Sequence, residues 1–128
     1  MIVDASALIA LIHREPGWER LVEALDAAPY AAVAAPTLAE AMIVLAARDV
    51  SPTILPALLA AADVEVVPFG PDHAYEAAAA FRRFGKGRHP AALTYGDCMA
   101  YAAAQVADAP LLFVGEDFVR TDVRPALS

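Results

Sequence analysis

The chain has 128 residues, 59% of them hydrophobic, and a formal net charge of −7 from 16 Asp and Glu against 9 Lys and Arg. That length suits one domain, residues 1–128, with a sizeable core, while the charge excludes nonspecific phosphate binding by a generally basic surface. No apolar run reaches the roughly 18 uninterrupted residues of a membrane helix, and the single cysteine, Cys98, excludes an intramolecular disulfide and fits a cytoplasmic setting.

The first residues, MIVD, are a short apolar run ending in an acid, without a basic leader or small-residue cleavage site. ASALIALIHRE follows with helical spacing until Pro16 and Gly17 interrupt it. WERLVEALDAA repeats apolar residues along one helical face, and Pro29 ends it. YAAVAA is a candidate strand, and Pro36 then opens a helix over TLAEAMIVLAARD. TILPALLAAAD predicts another helix, with Pro56 forcing a late start or a bend. VEVVPF, rich in β-branched residues, is the clearest strand. A helix is expected between Gly70 and Gly85, KGRHPAAL as a loop, and a further helix from Gly96 to about Ala107. PLLFVG is a strand stopped by Gly115, and VRP a candidate short edge strand. Short apolar strands alternating with helices predict an α/β fold, with a parallel sheet covered on both faces.

In such sheets ligands bind at the carboxyl ends of the strands, near a switch in strand order. Asp4 ends the first strand and Asp117 follows the last long one. Glu40 and Asp97 lie in the early turns of helices, whose N-termini point to the same edge. Four converging carboxylates repel one another unless something compensates them. A hard divalent cation does so, and Mg²⁺ accepts a few carboxylates while keeping several waters. Ser6, Thr37, Glu116, Thr121 and Asp122 stand close enough in sequence to support such a site. Setting aside Asp4, Glu40, Asp97, Glu116, Asp117 and Asp122 leaves ten acids facing nine Lys and Arg, so the negative excess sits mostly in the candidate site.

Each candidate also has a purely structural reading. Asp4 and Asp97 suit helix capping, Ser6 and Thr37 suit capping equally, and Asp117 suits a turn. Cys98 reads as a small buried hydrophobe. His13, His73 and His89 lack metal-ligand spacing.

The blocks MIVDASALIAL, PTLAEAMIVL, LTYGDCMAYAAA and LLFVGEDFVRTDV, in that order, resemble the signature blocks of PIN-domain ribonucleases, and in particular VapC-type toxins of bacterial type II toxin–antitoxin systems. The stretch FGKGRHPAALTYGDC is similar to one VapC subgroup. The resemblance implies a three-layer α/β/α PIN fold with a parallel sheet of four to five strands. It places Asp4, Glu40, Asp97 and Asp117 at the family's four acidic metal-site positions. Glu116 departs from the family's Gly-Asn-Asp-Phe-like pattern, and Asp117 takes the family acid. The resemblance further implies Mg²⁺, with Mn²⁺ as an alternative, and endoribonuclease cleavage of tRNA, rRNA or mRNA by metal-activated water. It implies a homodimer, and a hetero-oligomer with a VapB-type antitoxin. The antitoxin would lie in an apolar groove of the N-terminal helices, walled by Leu8, Leu11, Ile12, Trp18, Leu21 and Leu45.

Arg82, Arg83, Lys86 and Arg88 concentrate positive charge just before the Asp97 helix and form the candidate RNA-backbone contact; the alternative is a solvated helix end. Two other functions compete. A catalytically silent PIN-fold binding module usually loses acids, and all four are present. A receiver-like phospho-acceptor domain needs a lysine after a late strand, whereas the only lysine, Lys86, precedes the Asp97 helix.

Overall fold

A computed structural model describes residues 1–127; the last residue of the expected 1–128 domain lies outside the described residues. Four strands form one parallel sheet: β1 (Ile2–Val3), β2 (Ala31–Ala34), β3 (Val64–Val67) and β4 (Leu111–Leu112), in the order β3-β2-β1-β4. The helices are α1 (Ala5–His13), α2 (Trp18–Ala27), α3 (Ala35–Ala47), α4 (Ile54–Ala61), α5 (Pro71–Phe84) and α6 (Tyr95–Ala107).

Alternation within the strands divides the core between the two faces of the sheet. Ile2, Ala32, Ala34 and Leu111 pack with Leu93, Tyr101 and Phe118 beneath α5 and α6. Val3, Val33 and Leu112 point the other way and pack with Leu8, Leu21, Leu45 and Leu59 from α1 to α4. The result is the expected α/β/α arrangement. Alanine suits both central strands and α6: seven successive residues of α6, Cys98 to Ala104, are buried, and small side chains let that helix lie close against the sheet.

Pro56 is accommodated in the first turn of α4, which starts at Ile54. The VRP segment contributes only an isolated parallel bridge, Leu111 with Pro125, held by Leu111 N–H donating to Arg124 O and Ala126 N–H donating to Leu111 O, both at 2.8 Å. The chain builds the sheet outward from β1 through β2 to β3, then returns to the other side of β1 with β4. The switch in strand order therefore falls at β1, and Asp4 follows its last residue.

Candidate active site

Asp4 leaves β1 in extended conformation and becomes the N-cap of α1. Its Oδ2 accepts from Ser6 N–H at 3.1 Å and from Ser6 Oγ–H at 2.6 Å. Ser6 Oγ in turn accepts from Val114 N–H at 3.0 Å, tying the Asp4 turn to the segment that leads to Asp117. Asp4 is only 4% exposed. Burial raises its pKa above the ordinary carboxylate range and the charge of Asp97 adds to the rise, against the opposing Ser6 bonds.

Asp97 is the third residue of α6 and closes a capping box with Thr94. One of its oxygens accepts from Thr94 N–H and from Thr94 Oγ, each at 3.0 Å. Its pKa is also raised, by burial first and by the charge of Asp117, against the Thr94 bonds. Both acids therefore satisfy the capping reading, yet capping alone leaves an acid pKa lowered. The rise reflects a buried carboxylate, Asp4, and a half-buried one, Asp97, each facing like charge.

Glu40, in the second turn of α3, has no hydrogen bond among the described residues. Burial, then the charges of Asp4 and Asp97, push its pKa up to about 7. Its carboxylate lies against the backbone of Gly96: a Cβ there would stand 2.1 Å from Glu40 Oε2 and 2.6 Å from its carboxyl carbon. Gly96 is thus the cradle of Glu40. Glycine in the first turn of a helix, immediately before an acid, is the sequence signal that could have flagged it. The outer side of this cradle opens into a groove of about 440 Å³ lined by Pro36, Ala39, Ile43, Tyr95 and Met99.

Asp117 lies in an exposed turn after Gly115, whose φ of +97° lets the chain reverse out of β4. Its charge reaches Asp97. Glu116 is exposed beside it. The structure thus gathers Asp4, Glu40 and Asp97 into one mutually repelling group, with Asp117 at its open side.

The remaining candidates separate from this group. Asp122 accepts from Tyr101 Oη–H at 2.5 Å and from Arg83 at 3.1 Å; the Tyr101 bond and the guanidinium hold its pKa down. Thr121 Oγ1 donates to Phe118 O at 2.7 Å and accepts from Val123 N–H at 3.3 Å, fixing a turn. Arg83 is committed to Asp122 and lies over the Phe84 ring, 4.6 Å from its centroid. Arg82, Lys86 and Arg88 are exposed and carry no ion pair among the described residues. The groove expectation for the N-terminal helices changes most. Leu8, Leu11, Leu21 and Leu45 are core residues at 8% exposure or less, because α1 to α4 use those faces to cover the sheet; only Ile12 and Trp18 are partly exposed.

A divalent cation suits this donor set. The three clustered acids have no Lys or Arg ion pair among the described residues, so their repulsion is uncompensated from within the chain. Thr37 Oγ1, in the first turn of α3, is buried without a hydrogen-bond partner, an arrangement that costs about 1–3 kcal/mol unless a bound water or ligand satisfies it. Among the described residues no three Asp, Glu, His or Cys side chains are placed to hold a metal ion by themselves. Mg²⁺ does not need three: it binds through one or two carboxylates and fills its remaining positions with water and phosphate oxygens.

Comparison with known proteins identifies the family. The family model described as PIN domain matches residues 1–124. The chain belongs to the PIN-domain family. Among curated PIN proteins, a VapC ribonuclease of Mycobacterium bovis is 48% identical over 126 residues, covering 96% of this chain and 91% of the relative. Ribonuclease VapC42 of Mycobacterium tuberculosis is 42% identical, covering 98% of each chain. This PIN domain is therefore a member of the VapC ribonucleases. Its fold superposes on the crystal structure of M. tuberculosis VapC20, a sarcin-ricin loop cleaving toxin, with a TM-score of 0.74 at 19% identity over 97% of this chain and 98% of the other. VapBC2 of Rickettsia felis, bound to a DNA fragment from its promoter, gives a TM-score of 0.73 at 13% identity over 97% and 94%.

Proposed function

We propose that this PIN domain is an endoribonuclease toxin whose site is built from Asp4, Glu40, Asp97 and Asp117 and works with Mg²⁺, Mn²⁺ serving as a substitute. The observation that carries the reading is the uncompensated group of Asp4, Glu40 and Asp97, contributed by β1–α1, α3 and α6 at the switch point of the sheet. Asp4 and Asp97 would hold the cation, with Asp117 closing the open side. When bound, the cation supplies Lewis acidity toward the phosphodiester and toward water. Ser6 and Thr94 orient the two holding carboxylates, as outer partners of metal ligands do. Glu40, free of other hydrogen bonds among the described residues, orients the attacking water and accepts its proton on its carboxylate. No side chain acts as the nucleophile; Cys98, the one cysteine, is buried and its thiol is pushed up to about 11.

The RNA backbone is met by Arg82, Lys86 and Arg88, which precede the Asp97 helix and are not consumed by ion pairs. A VapB-type antitoxin neutralises the enzyme, consistent with the toxin–antitoxin complex from Klebsiella pneumoniae whose fold it shares, with a TM-score of 0.70 at 18% identity over 94% of this chain and 92% of the other. The active form is a homodimer in the cytoplasm. Among the described residues no helix is long and apolar enough to cross a membrane.

Cleavage of total bacterial RNA by the purified, antitoxin-free protein tests this. Discrete fragments that require Mg²⁺, disappear with EDTA and disappear in Asp97→Asn are expected. Absence of cutting by folded protein with either metal, or identical fragments from wild type and Asp97→Asn, would overturn the assignment.

A further inference from the structure

Tyr95 is the most exposed large apolar side chain in the molecule among the described residues, at 79%. It opens α6, two residues before Asp97. It also stands between two depressions. On one side it lines the groove that contains Glu40 and Ile43. On the other it lines a cavity of about 550 Å³ between α5 and α6, whose walls include Phe69, Phe81, Met99 and Arg82. Burying Tyr95 would be favourable, and nothing among the described residues does so. Ile43, 70% exposed, and Phe81, 38% exposed, extend the same surface to either side.

We propose that Tyr95 is a stacking platform for an unpaired RNA base next to the scissile phosphate, with the α5–α6 cavity as the pocket that receives that base. This rests on the ribonuclease reading given above. Three features select a base over a protein side chain. The first is distance along the chain: the reacting phosphate must lie by Asp97 and Glu40, and Tyr95 shares a helical turn with one and a groove with the other. A nucleotide bound there has its base within reach of the ring. The second is charge. Arg82 is the one charged residue lining the cavity and has no ion pair among the described residues, so an apolar pocket rimmed by one free cation matches a flat base carried on a phosphate chain. The third is shape. The cavity lies within the 300–1,000 Å³ typical of small-ligand sites, and splayed bases of single-stranded RNA are recognised by stacking on aromatic rings. Tyr95 is here a positioning and specificity residue; it holds substrate and moves no proton.

The test is a single-stranded RNA carrying a fluorescent purine analogue, drawn from the sequence that wild type cuts or, if it cuts none, of mixed sequence. Binding is measured to Asp97→Asn with and without Tyr95→Ala, Tyr95→Phe and Phe81→Ala. The stacking reading expects fluorescence quenching on binding, lost with Tyr95→Ala, kept with Tyr95→Phe and weakened with Phe81→Ala. Affinity should fall about 10- to 100-fold for Tyr95→Ala. An RNA with an abasic nucleotide at the quenched position should bind Asp97→Asn and the Asp97→Asn, Tyr95→Ala double variant alike, a coupling that a merely structural role would not produce. Metal-dependent cutting without quenching would overturn the stacking role and leave the ribonuclease assignment standing. Quenching without cutting would do the reverse. If Tyr95→Ala instead turns a dimer into a monomer in sedimentation and leaves RNA affinity unchanged, the surface is covered by a second copy and the proposal falls.

Discussion

Two polar clusters in this molecule obey opposite electrostatics. At the strand edge Asp4, Glu40 and Asp97 are desolvated and face one another, and all three are raised in pKa. On the far side of α6, Asp122 is held by Tyr101 and Arg83 and is lowered. The second group is complete: every charge has its partner, and the cluster ties the segment after β4 to α5 and α6. The first is incomplete. A fold that leaves three acids facing each other accepts a loss of stability that a bound cation would offset. An acid's role is thus read from what surrounds it: the sequence made Asp122 a supporting member of the same site, and its surroundings place it elsewhere.

The largest expected effect separates the groups by activity. Asp4→Asn and Asp97→Asn should each reduce metal-dependent cleavage by more than the ~10–100-fold that loss of an outer partner of a metal ligand costs, while Asp122→Asn should change it only a few-fold; initial rates on one mapped RNA decide. Gly96→Ala comes next. The new methyl displaces the Glu40 carboxylate, so cleavage should fall about 10–100-fold with an unchanged circular dichroism spectrum; unaltered cleavage would mean that Glu40 is not needed where it lies. The pH dependence of stability should have opposite signs in the two groups. Glu40 is raised to about 7, so in EDTA its contribution is fully present below the ordinary glutamate value and is lost as pH rises toward 7. Melting temperature in EDTA should drop over that interval, Glu40→Gln should flatten the drop, and added Mg²⁺ should reverse it. Asp122 is lowered, so its contribution holds above the ordinary aspartate range and is lost as pH falls through its depressed value. Asp122→Asn should remove that part of the acid limb. The smallest effect is Tyr101→Phe, which removes a buried hydroxyl bonded to Asp122 and should cost about 1 kcal/mol, measured by urea unfolding, with cleavage preserved.

Much of the fold was legible because its signals are local. β3 carries successive β-branched residues, α3 and α5 open on proline, and α6 is a long apolar, alanine-rich run, whose capping box, Thr94 with Asp97, was not read from the sequence. The two-residue strands β1 and β4 were located by the apolar runs that contain them. The acids of the strand edge were legible through the rule that places ligands at strand carboxyl ends, which is a topological argument and survives errors in element length. What stayed hidden depends on pairing across long separations. Nothing in the spacing of Arg83 and Asp122, 39 residues apart, announces their bond, so both were assigned to function. The α1 and α2 leucines carry one apolar face each, and sequence periodicity is the same whether that face meets the sheet or a partner. The Glu40–Gly96 contact joins two helices and leaves only a misplaced glycine as its trace.

The hydrogen bonds that flank the central strand have a consequence for the order in which the chain is made. Ile2 N–H donates to Pro110 O and Asp4 N–H to Leu112 O, so the first strand to leave the ribosome acquires its partner on that side only after more than a hundred further residues. Synthesis proceeds at about 5–20 residues per second, and such distant pairings close late. Until β4 docks, Ser6 has no Val114 to hold, and the turn bearing Asp117 is not set beside Asp97. A nascent chain therefore presents separated acids, and the cutting edge comes together only as translation of this domain is finishing.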